Sequence, residues 1–321
     1  MKKKFNIKQF KGGWTKAPED KRDYRWEDKI GATVISEEEL PDTFCHNLPT
    51  YLPYQGSINS CVFCSFAFVE SFKQNKELGT NNKFSWRFNY PFTTHTLVGA
   101  NFRDVAKSYQ DIGVSSIYSC PERPEMGQVW CENPDNITEE SKLEALDNKI
   151  KSYQSVSWMD FRRALYQEPL IIAVGGNNAT WNSTVVKDNN YIIDQQGMMD
   201  SNCDWFHAIV VVGWKKDIDG KFIYKIANWW GDSWGDKGCA WLKNPYIQAI
   251  CSVQDLPNQK HMTNVKVVKD KNSTAVGFFV PAVDESAFKS QCLNYGIEVP
   301  INPDGSVNWP AVVIEGEVTI S

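Results

Sequence analysis

The sequence predicts an α+β protein with a helical part, then a strand-rich part, and then a small C-terminal module. A long apolar run from residue 61 towards Gly79 is typical of a buried helix, and helical patterns continue to about residue 154. After Pro169 the apolar runs become short and rich in β-branched residues, as in buried strands. Helices that are segregated from strands along the chain favour α+β packing over alternating α/β units.

Length and composition exclude several classes of protein. The 321 residues allow two or three domains, and 13 tryptophans and 17 phenylalanines supply a sizeable apolar core. The net charge of -5 gives no reason to expect a nucleic-acid partner. The sequence contains no apolar run near the roughly 18 residues that a membrane span needs. We therefore expect a globular protein with neither of these partners.

Capping and stop signals divide the helical part. Asn59 or Ser60 is suited to cap the first helix, and Gly79 is suited to end it. Thr138, followed by two glutamates, starts a predicted helix over residues 138–153. Two further helices are predicted, over residues 101–111, closed by Gly113, and from Ser157 to the residue before Pro169.

The strand-rich part is organised around a hairpin. Asp219-Gly220 separates two apolar runs and is a strong signal for a two-residue turn. His207 and Asn228 are nearly equidistant from this turn, so antiparallel pairing is expected to set them opposite each other. The predicted strands are residues 170–174, 206–214, 221–228 and 239–242.

A cysteine at the start of the buried helix is a candidate nucleophile. Cys61 would lie in the positive end of the helix macrodipole, which favours thiolate over thiol. Gln55 could bring a side-chain amide close to the Cys61 backbone N–H, and two such donors would make an oxyanion hole. His207 with Asn228 supplies a base and the group that orients it. A buried structural cysteine is the alternative interpretation of Cys61.

Three motifs together resemble the papain family of cysteine peptidases. They are Gln-Gly-Ser-x-x-Ser-Cys at residues 55–61, His-Ala-Ile-Val-Val-Val-Gly at residues 207–213, and Asn-Trp-Trp-Gly-x-x-Trp-Gly-x-x-Gly at residues 228–238. The resemblance implies that Cys61 is the nucleophile, His207 its base and Asn228 the residue that orients the base. It further implies that Gln55 is the oxyanion glutamine and that Trp230 shields the Asn–His hydrogen bond from water.

The resemblance also implies a papain-like two-domain fold. In this fold a helical left domain and an antiparallel, β-barrel-like right domain enclose a cleft that holds the site. We expect an N-terminal lead-in or strap over residues 1–45, a helical subdomain over 46–155, a β-rich subdomain over 156–258 and an accessory module over 262–321. The lead-in is too short for the helical inhibitory pro-domain of secreted members. A regulatory strap and an ordinary part of the fold both stay open for it.

Four positions depart from the pattern of the family. Val62 stands where tryptophan is usual, Asn59 where glycine is usual, Ile58 where a disulfide cysteine is common, and Cys239 where an aromatic residue is usual. None of these changes removes a group that the chemistry needs. Asn59 and Val62 are expected to alter the loop and the pocket on the primed side of the cleft.

The implied function is hydrolysis of peptide bonds in a peptide or protein substrate. The Cys61 thiolate would attack the carbonyl, His207 would protonate the leaving amine, and water would hydrolyse the thioester. Two alternatives stay open. One is a catalytically silent papain fold that serves as a structural or binding component of an assembly, and the other is an acyl transferase or amidase that uses the same thioester. No substrate-binding residue is identified, and no cofactor is expected.

The other cysteines and histidines receive structural interpretations. Cys61 and Cys64 with a histidine could suggest zinc, but no second pair follows at ligand spacing, so no metal is expected. The remaining histidines have no partner motif. The nine cysteines lack a framework of tight spacings, and we interpret most of them as thiols, with a Cys120–Cys131 bridge as a minor alternative.

The two ends of the chain carry less information. The first ten residues are basic but lack the apolar region of a secretory signal. A cytoplasmic or otherwise reducing setting is expected, while leaderless export and association with a virion stay open. The accessory module is a candidate surface for a protein partner. Its predicted elements are strands at 265–268, 275–280, 312–314 and 318–320 and a helix at 285–295.

Overall fold

The computed structural model describes residues 13–18, 20, 23–29, 35–96 and 99–255, with the strand segments 265–268, 277–279 and 314–318. The chain divides into two compact units, Met1–Leu256 and Pro257–Ser321. Within these described ranges, no helix is long and apolar enough to cross a membrane.

The first unit is organised around α1, Cys61–Leu78, whose residues are buried over most of the length of the helix. The helix is buried because it is apolar on nearly every face; Phe63 and Phe66, for example, are fully enclosed. It ends at Gly79, which has a φ of 64° in the left-handed region that glycine adopts readily. The prediction of this helix and its end is confirmed. Ser60 occupies the N-cap position, but its side chain makes no capping hydrogen bond.

Six shorter helices follow α1 in the described part of the first unit. They are α2, Trp86–Asn89; α3, Phe102–Asp111; α4, Gln128–Glu132; α5, Glu139–Ala145; α6, Phe161–Gln167; and α7, Ser183–Asp188. Thr138 caps α5 as predicted, since its side chain accepts a hydrogen bond from the Ser141 N–H. The prediction of one helix over residues 138–153 is wrong beyond Ala145. Residues Ile150–Ser155 form a strand instead, because their burial alternates and they pair with a later strand.

Within the described residues, the first unit contains an eight-stranded sheet. Its strands are β1, Phe44–Cys45; β2, Ile150–Ser155; β3, Leu170–Gly176; β4, Ile192–Asp194; β5, Trp205–Lys216; β6, Phe222–Ala227; β7, Cys239–Lys243; and β8, Ile247–Asp255. The order is β2-β8-β3-β5-β6-β7-β4, and β1 pairs with β5. Neighbours are antiparallel except for the parallel pair of β4 and β7. The four strands predicted after residue 169 are present, whereas β8 was not predicted.

The register of the central hairpin differs from the predicted one. Pairing of β5 with β6 ends at Val210 opposite Ala227, with an irregularity between Val211 and Gly213. Asn228 therefore follows the strand, and His207 lies diagonally from it rather than directly opposite. The prediction of direct opposition is wrong because Lys216 pairs with Phe222 beside the turn, a register that would set Asn228 opposite Val210. The irregularity shifts Asn228 by one residue towards His207 but does not bring the two opposite each other.

Strand β5 separates two apolar cores. Ala208, Val210 and Val212 belong to the core around α1, whereas Ile209 and Val211 belong to a core on the other face of the sheet. This alternation follows from the two-residue period of a strand. Residues at the start of β5 consequently face either α1 or the second core, which is rich in tryptophan.

The second unit contains a small sheet. Strand β9, Val265–Val268, lies between β10, Gly277–Phe279, and β11, Ile314–Val318, and both pairings are antiparallel. The strands predicted at residues 265–268 and 275–280 are present, and β11 spans the gap between the two short strands predicted near the C-terminus. The predicted helix at 285–295 lies outside the described residues.

Candidate active site

Cys61 is the first residue of α1 and is fully buried. Its sulfur lies against the start of β5, where the Ala208 backbone N–H donates a hydrogen bond to Sγ over 3.4 Å. Ala208 directly follows His207 in the chain. The packing of α1 on β5 thus brings the sulfur next to the strand that carries the predicted base.

His207 is held by an amide and by aromatic rings. Its Nε2 lies 2.8 Å from Oδ1 of Asn228, which also accepts a hydrogen bond from the Trp229 backbone N–H over 2.8 Å. The Trp230 ring stacks on the imidazole, with ring centroids 5.0 Å apart and an interplanar angle of 22°. Trp205 meets the imidazole edge-on at 6.0 Å. The ring orientation of His207 is therefore determined by three side chains.

Gln55 lies in the loop that precedes α1 and is fully buried. Its backbone N–H donates to the Trp229 carbonyl over 3.1 Å, and its side-chain amide donates to the Ile58 carbonyl over 3.0 Å. Since Trp229 directly follows Asn228, the same chain segment anchors the glutamine loop and carries the partner of His207. The five residues that the sequence singles out thus belong to one connected, buried region.

The N-terminal lead-in covers this region. We call residues 13–15 the strap. The Gly13 N–H donates to the Phe206 carbonyl over 3.1 Å, the Thr15 N–H donates to the Ala100 carbonyl over 3.0 Å, and the Ala100 N–H donates to the Gly13 carbonyl over 3.2 Å. A Cβ atom added at Gly13 would lie 2.5 Å from Sγ of Cys61. The strap therefore lies directly on the sulfur, and only glycine fits at that point.

An aromatic side chain fixes the strap in the cleft. Trp14 is buried and packs against Phe102 and Phe206, with ring centroids 6.0 and 6.1 Å apart. Buried aromatic residues contribute much of the stability of such contacts because each buries a large apolar area. Phe206 directly precedes His207, so the strap binds both backbone and side chain of the residue next to the imidazole.

Polar contacts hold the chain that follows the strap. The Arg103 guanidinium forms an ion pair with Asp23 and donates to the Pro18 carbonyl over 2.9 Å. The Tyr153 hydroxyl donates to Asp23 over 2.6 Å. Burial alone would raise the pKa of Asp23, but hydrogen bonds from Arg103 and Tyr153 outweigh it and lower the pKa. We call Asp23, Arg103 and Tyr153 the latch.

Burial of the site determines the charge states of its two titratable groups. It raises the pKa of Cys61 to about 12, although backbone hydrogen bonds from Ala208 and Val62 oppose the shift. It lowers the pKa of His207 to about 3, although the Asn228 hydrogen bond opposes it. In this closed structure burial opposes the thiolate, and the effect of the helix terminus on Cys61 stays a prediction. Both groups are neutral at pH 7.

Three of the four positions that depart from the family pattern are buried in the structure. Val62 and Ile58 are buried, and Cys239 is buried beside the segment that carries Asn228. Among the described residues eight cysteines are free thiols, and they include Cys120 and Cys131. The minor alternative of a bridge between those two is therefore wrong. The Arg87 guanidinium donates to Cys120 instead, over 3.4 Å.

Sequence reasoning missed the residues that close the site. Gly13 and Trp14 were noted only as a lead-in, and neither Ala100 nor Phe206 carried a signal of contact with it. The signal available was a glycine next to a tryptophan in an otherwise polar segment. It is too weak to predict a segment that packs on a cysteine 48 positions away.

Comparisons with known proteins show the family and the fold of the chain. Residues 89–260 match the family described as papain family cysteine protease, a range that includes His207 and Asn228 and begins after Cys61. Curated protein sequences gave no match.

Solved structures share the fold. Xylellain, a cysteine protease from Xylella fastidiosa, is 19% identical with a TM-score of 0.62, over 80% of this chain and 99% of that one. Procathepsin B S9 from Trypanosoma congolense is 17% identical with a TM-score of 0.56, over 78% and 87%. Bromelain from Ananas comosus, in complex with the E64 inhibitor, is 15% identical with a TM-score of 0.52, over 68% and 100%. With a family match over more than half of its length, the chain belongs to the papain family of cysteine proteases.

Proposed function

We propose that the protein is a cysteine peptidase that hydrolyses peptide bonds through a thioester on Cys61, and that its strap holds it in a closed, latent state. The observation that carries the proposal is the 2.8 Å contact between His207 Nε2 and Asn228 Oδ1 beside a sulfur that already bonds the Ala208 N–H. A base held by an amide next to a thiol is the arrangement that nucleophilic catalysis requires.

Each group has a separate role in the proposed reaction. Cys61 attacks the substrate carbonyl, and His207 takes the thiol proton and delivers it to the leaving amine. The side-chain amide of Gln55 and the backbone N–H of Cys61 stabilise the negative oxygen of the tetrahedral intermediate. His207 then activates the water that hydrolyses the thioester. Asn228 and Trp230 position the imidazole and do not exchange protons.

Opening of the strap is the step that would activate the thiol. In the closed state burial keeps both Cys61 and His207 neutral, as their shifted pKa values of about 12 and about 3 indicate. Water that enters when the strap leaves reduces this desolvation, so the pKa of Cys61 falls and that of His207 rises towards an ion pair. A substrate that displaces the strap would enter a site already assembled.

A catalytically silent scaffold is the second candidate, and the occupied cleft favours it. Strap residues at hydrogen-bonding distance from Phe206 and Ala100 would block every substrate if they never left. The complete set of buried polar groups weighs against this alternative. Fully buried Gln55, His207 and Asn228 cost desolvation free energy that an inert core would avoid with apolar residues.

Chemical labelling separates the two candidates. We expect an epoxide-type thiol inhibitor to modify Cys61 of the full chain in preference to Cys45, an exposed free thiol whose neighbour His46 hydrogen-bonds to the Leu165 carbonyl. Mass mapping of the labelled peptide gives the position, and a urea-unfolded sample, in which all thiols are open, is the control. Modification of Cys45 with none at Cys61, in folded wild type and in folded Trp14→Ala that both hydrolyse no peptide, would favour the scaffold.

The latch gives a prediction about pH. We expect Asp23→Asn to increase the rate of Cys61 labelling about two- to fivefold at pH 7, because a partly exposed ion pair contributes at most about 1 kcal/mol. The pKa of Asp23 is lowered in the closed state, so its stabilisation is present above the ordinary carboxyl pKa and is lost as pH falls through the lowered value.

The ratio of variant to wild-type labelling rates should therefore be largest above about pH 4 and approach one in stronger acid, where Asp23 is protonated in the wild type. Asp111→Asn is the control because it removes an exposed carboxylate from the end of α3, the helix that carries Arg103. A ratio that does not change with pH would contradict the latch.

A further inference from the structure

The position of Gln55 depends on the loop around it. Its side-chain amide makes a hydrogen bond within the loop, to Ile58, so the amide moves with the backbone on either side. Oxyanion donors act only when they are held close to their working position, and a displacement of about 1 Å can cost about a hundredfold in rate. Groups that hold residues 54 and 56 therefore bear directly on the proposed reaction.

A segment from a different part of the helical half holds the loop on both sides of Gln55. The Glu122 carboxylate oxygen Oε2 accepts a hydrogen bond from the Tyr54 N–H over 3.0 Å. Pro124 packs on Gly56, where an added Cβ would lie 2.8 Å from the Cβ of the proline. Gly56 has a φ of 57°, so both its conformation and its neighbour require glycine.

A third contact also holds Tyr54, the residue before Gln55. The Trp86 indole N–H donates to the Tyr54 carbonyl over 3.2 Å, so the two backbone polar groups of Tyr54 are both bound by side chains. The loop therefore has little freedom to turn about Tyr54. Side chains from α2 and from residues 122–124 together determine where the amide of Gln55 lies.

We propose that Glu122 and Pro124 are positioning residues that hold the oxyanion donor Gln55 in place for catalysis. This inference rests on the proposed function and adds two residues outside the three motifs that resemble the family. Neither residue touches the nucleophile in this structure, so each acts through the loop.

Glu122 lies in a buried environment, where desolvation of a carboxyl group costs free energy. Burial raises its pKa to about 8, although the nearby polar groups of Tyr51, Tyr54 and Trp86 oppose the shift. The titratable groups that face it are those of Tyr51, Cys64, Tyr109 and Cys120. A buried carboxyl is expensive to retain. Glutamine is its closest substitute because it has the same shape and keeps an acceptor oxygen.

The test compares Glu122→Gln with Glu122→Leu in the full chain, with a peptide amide as substrate. Glutamine keeps an oxygen that accepts from the Tyr54 N–H, whereas leucine removes it. We expect Glu122→Gln to keep at least half of the wild-type kcat. Glu122→Leu should lower kcat at least about tenfold with little change in KM, because an oxyanion donor acts in the transition state and not in substrate binding. A role in folding alone would not produce this split.

Coupling to Gln55 provides the sharper readout. In a Gln55→Ala background, Glu122→Leu should cause no further loss of kcat, because the group that it positions is already absent. Additive losses, or equal kcat values for Glu122→Leu and wild type, would overturn the inference while the proposed function stands. Absence of turnover in the wild type and also in Trp14→Ala, whose strap is weakened, would remove both. If Glu122→Leu does not fold, Pro124→Ala takes its place, with a smaller fall in kcat that must also vanish in the Gln55→Ala background.

Discussion

Replacement of Cys61 by alanine is expected to reduce peptide hydrolysis to background, because no other group in the proposed site carries the nucleophilic sulfur. His207→Ala should be nearly as severe, since nucleophile and base act as one unit and their losses are not additive. Gln55→Ala removes one oxyanion donor and should lower kcat by about 10²–10³. Asn228→Ala should have the smallest effect of the four, because it orients the imidazole without exchanging a proton.

The measurement is turnover of a generic peptide amide by variants whose circular dichroism matches that of the wild type. Cys64→Ala is the matched control: it removes a buried thiol one helical turn from Cys61, and it should retain most of the activity. Undiminished activity in Cys61→Ala would show that the chemistry lies elsewhere. A larger loss in Asn228→Ala than in His207→Ala would contradict the assigned roles.

The second large effect is expected from a substitution in the strap. Gly13→Ala places a Cβ 2.5 Å from Sγ of Cys61, so either the strap or the sulfur must move. Overpacking of this kind costs about 1–3 kcal/mol. We expect the closed state to lose stability by this amount and the rate of Cys61 modification by the epoxide-type inhibitor to rise at least about fivefold. The KM for peptides should fall in parallel, because a weakened strap competes less with substrate.

The control for this prediction lies in the same segment. Lys16→Ala changes an exposed side chain of the lead-in and should leave the labelling rate unchanged. Trp14→Ala should act in the same direction as Gly13→Ala, since it removes the packing on Phe102 and Phe206. Equal labelling rates in the wild type and both of these strap variants would mean that the strap does not limit access to Cys61.

Much of the local structure could be predicted because its signals are local. The helix from Cys61 to Gly79, the helix capped by Thr138, and the hairpin around residues 219–220 each depend on nearby residues. The extent of that second helix could not be predicted, because residues Ile150–Ser155 become a strand only by pairing with β8, about a hundred residues later. Non-local pairing outweighed a helical pattern there.

The family and the five residues of the candidate site could be predicted from the sequence alone, and the family is confirmed. Cys61, His207 and Asn228 are recognisable because their chemistry demands those residue types, and their motifs place Gln55 and Trp230 beside them. Helices and strands then follow from periodicity and capping, which are properties of short segments.

Only the tertiary structure decided the state in which that site is held. Gly13 lies on the Cys61 sulfur, and Glu122 accepts a hydrogen bond from the Tyr54 N–H in the loop that carries Gln55. Both contacts join segments that are far apart in the sequence, so no local pattern predicts them. The charge states depend on the same contacts. A helix terminus favours the thiolate, but burial beneath the strap raises the pKa of Cys61 to about 12. The desolvation of a titratable group depends on the residues that pack around it, and these come together only when the chain folds.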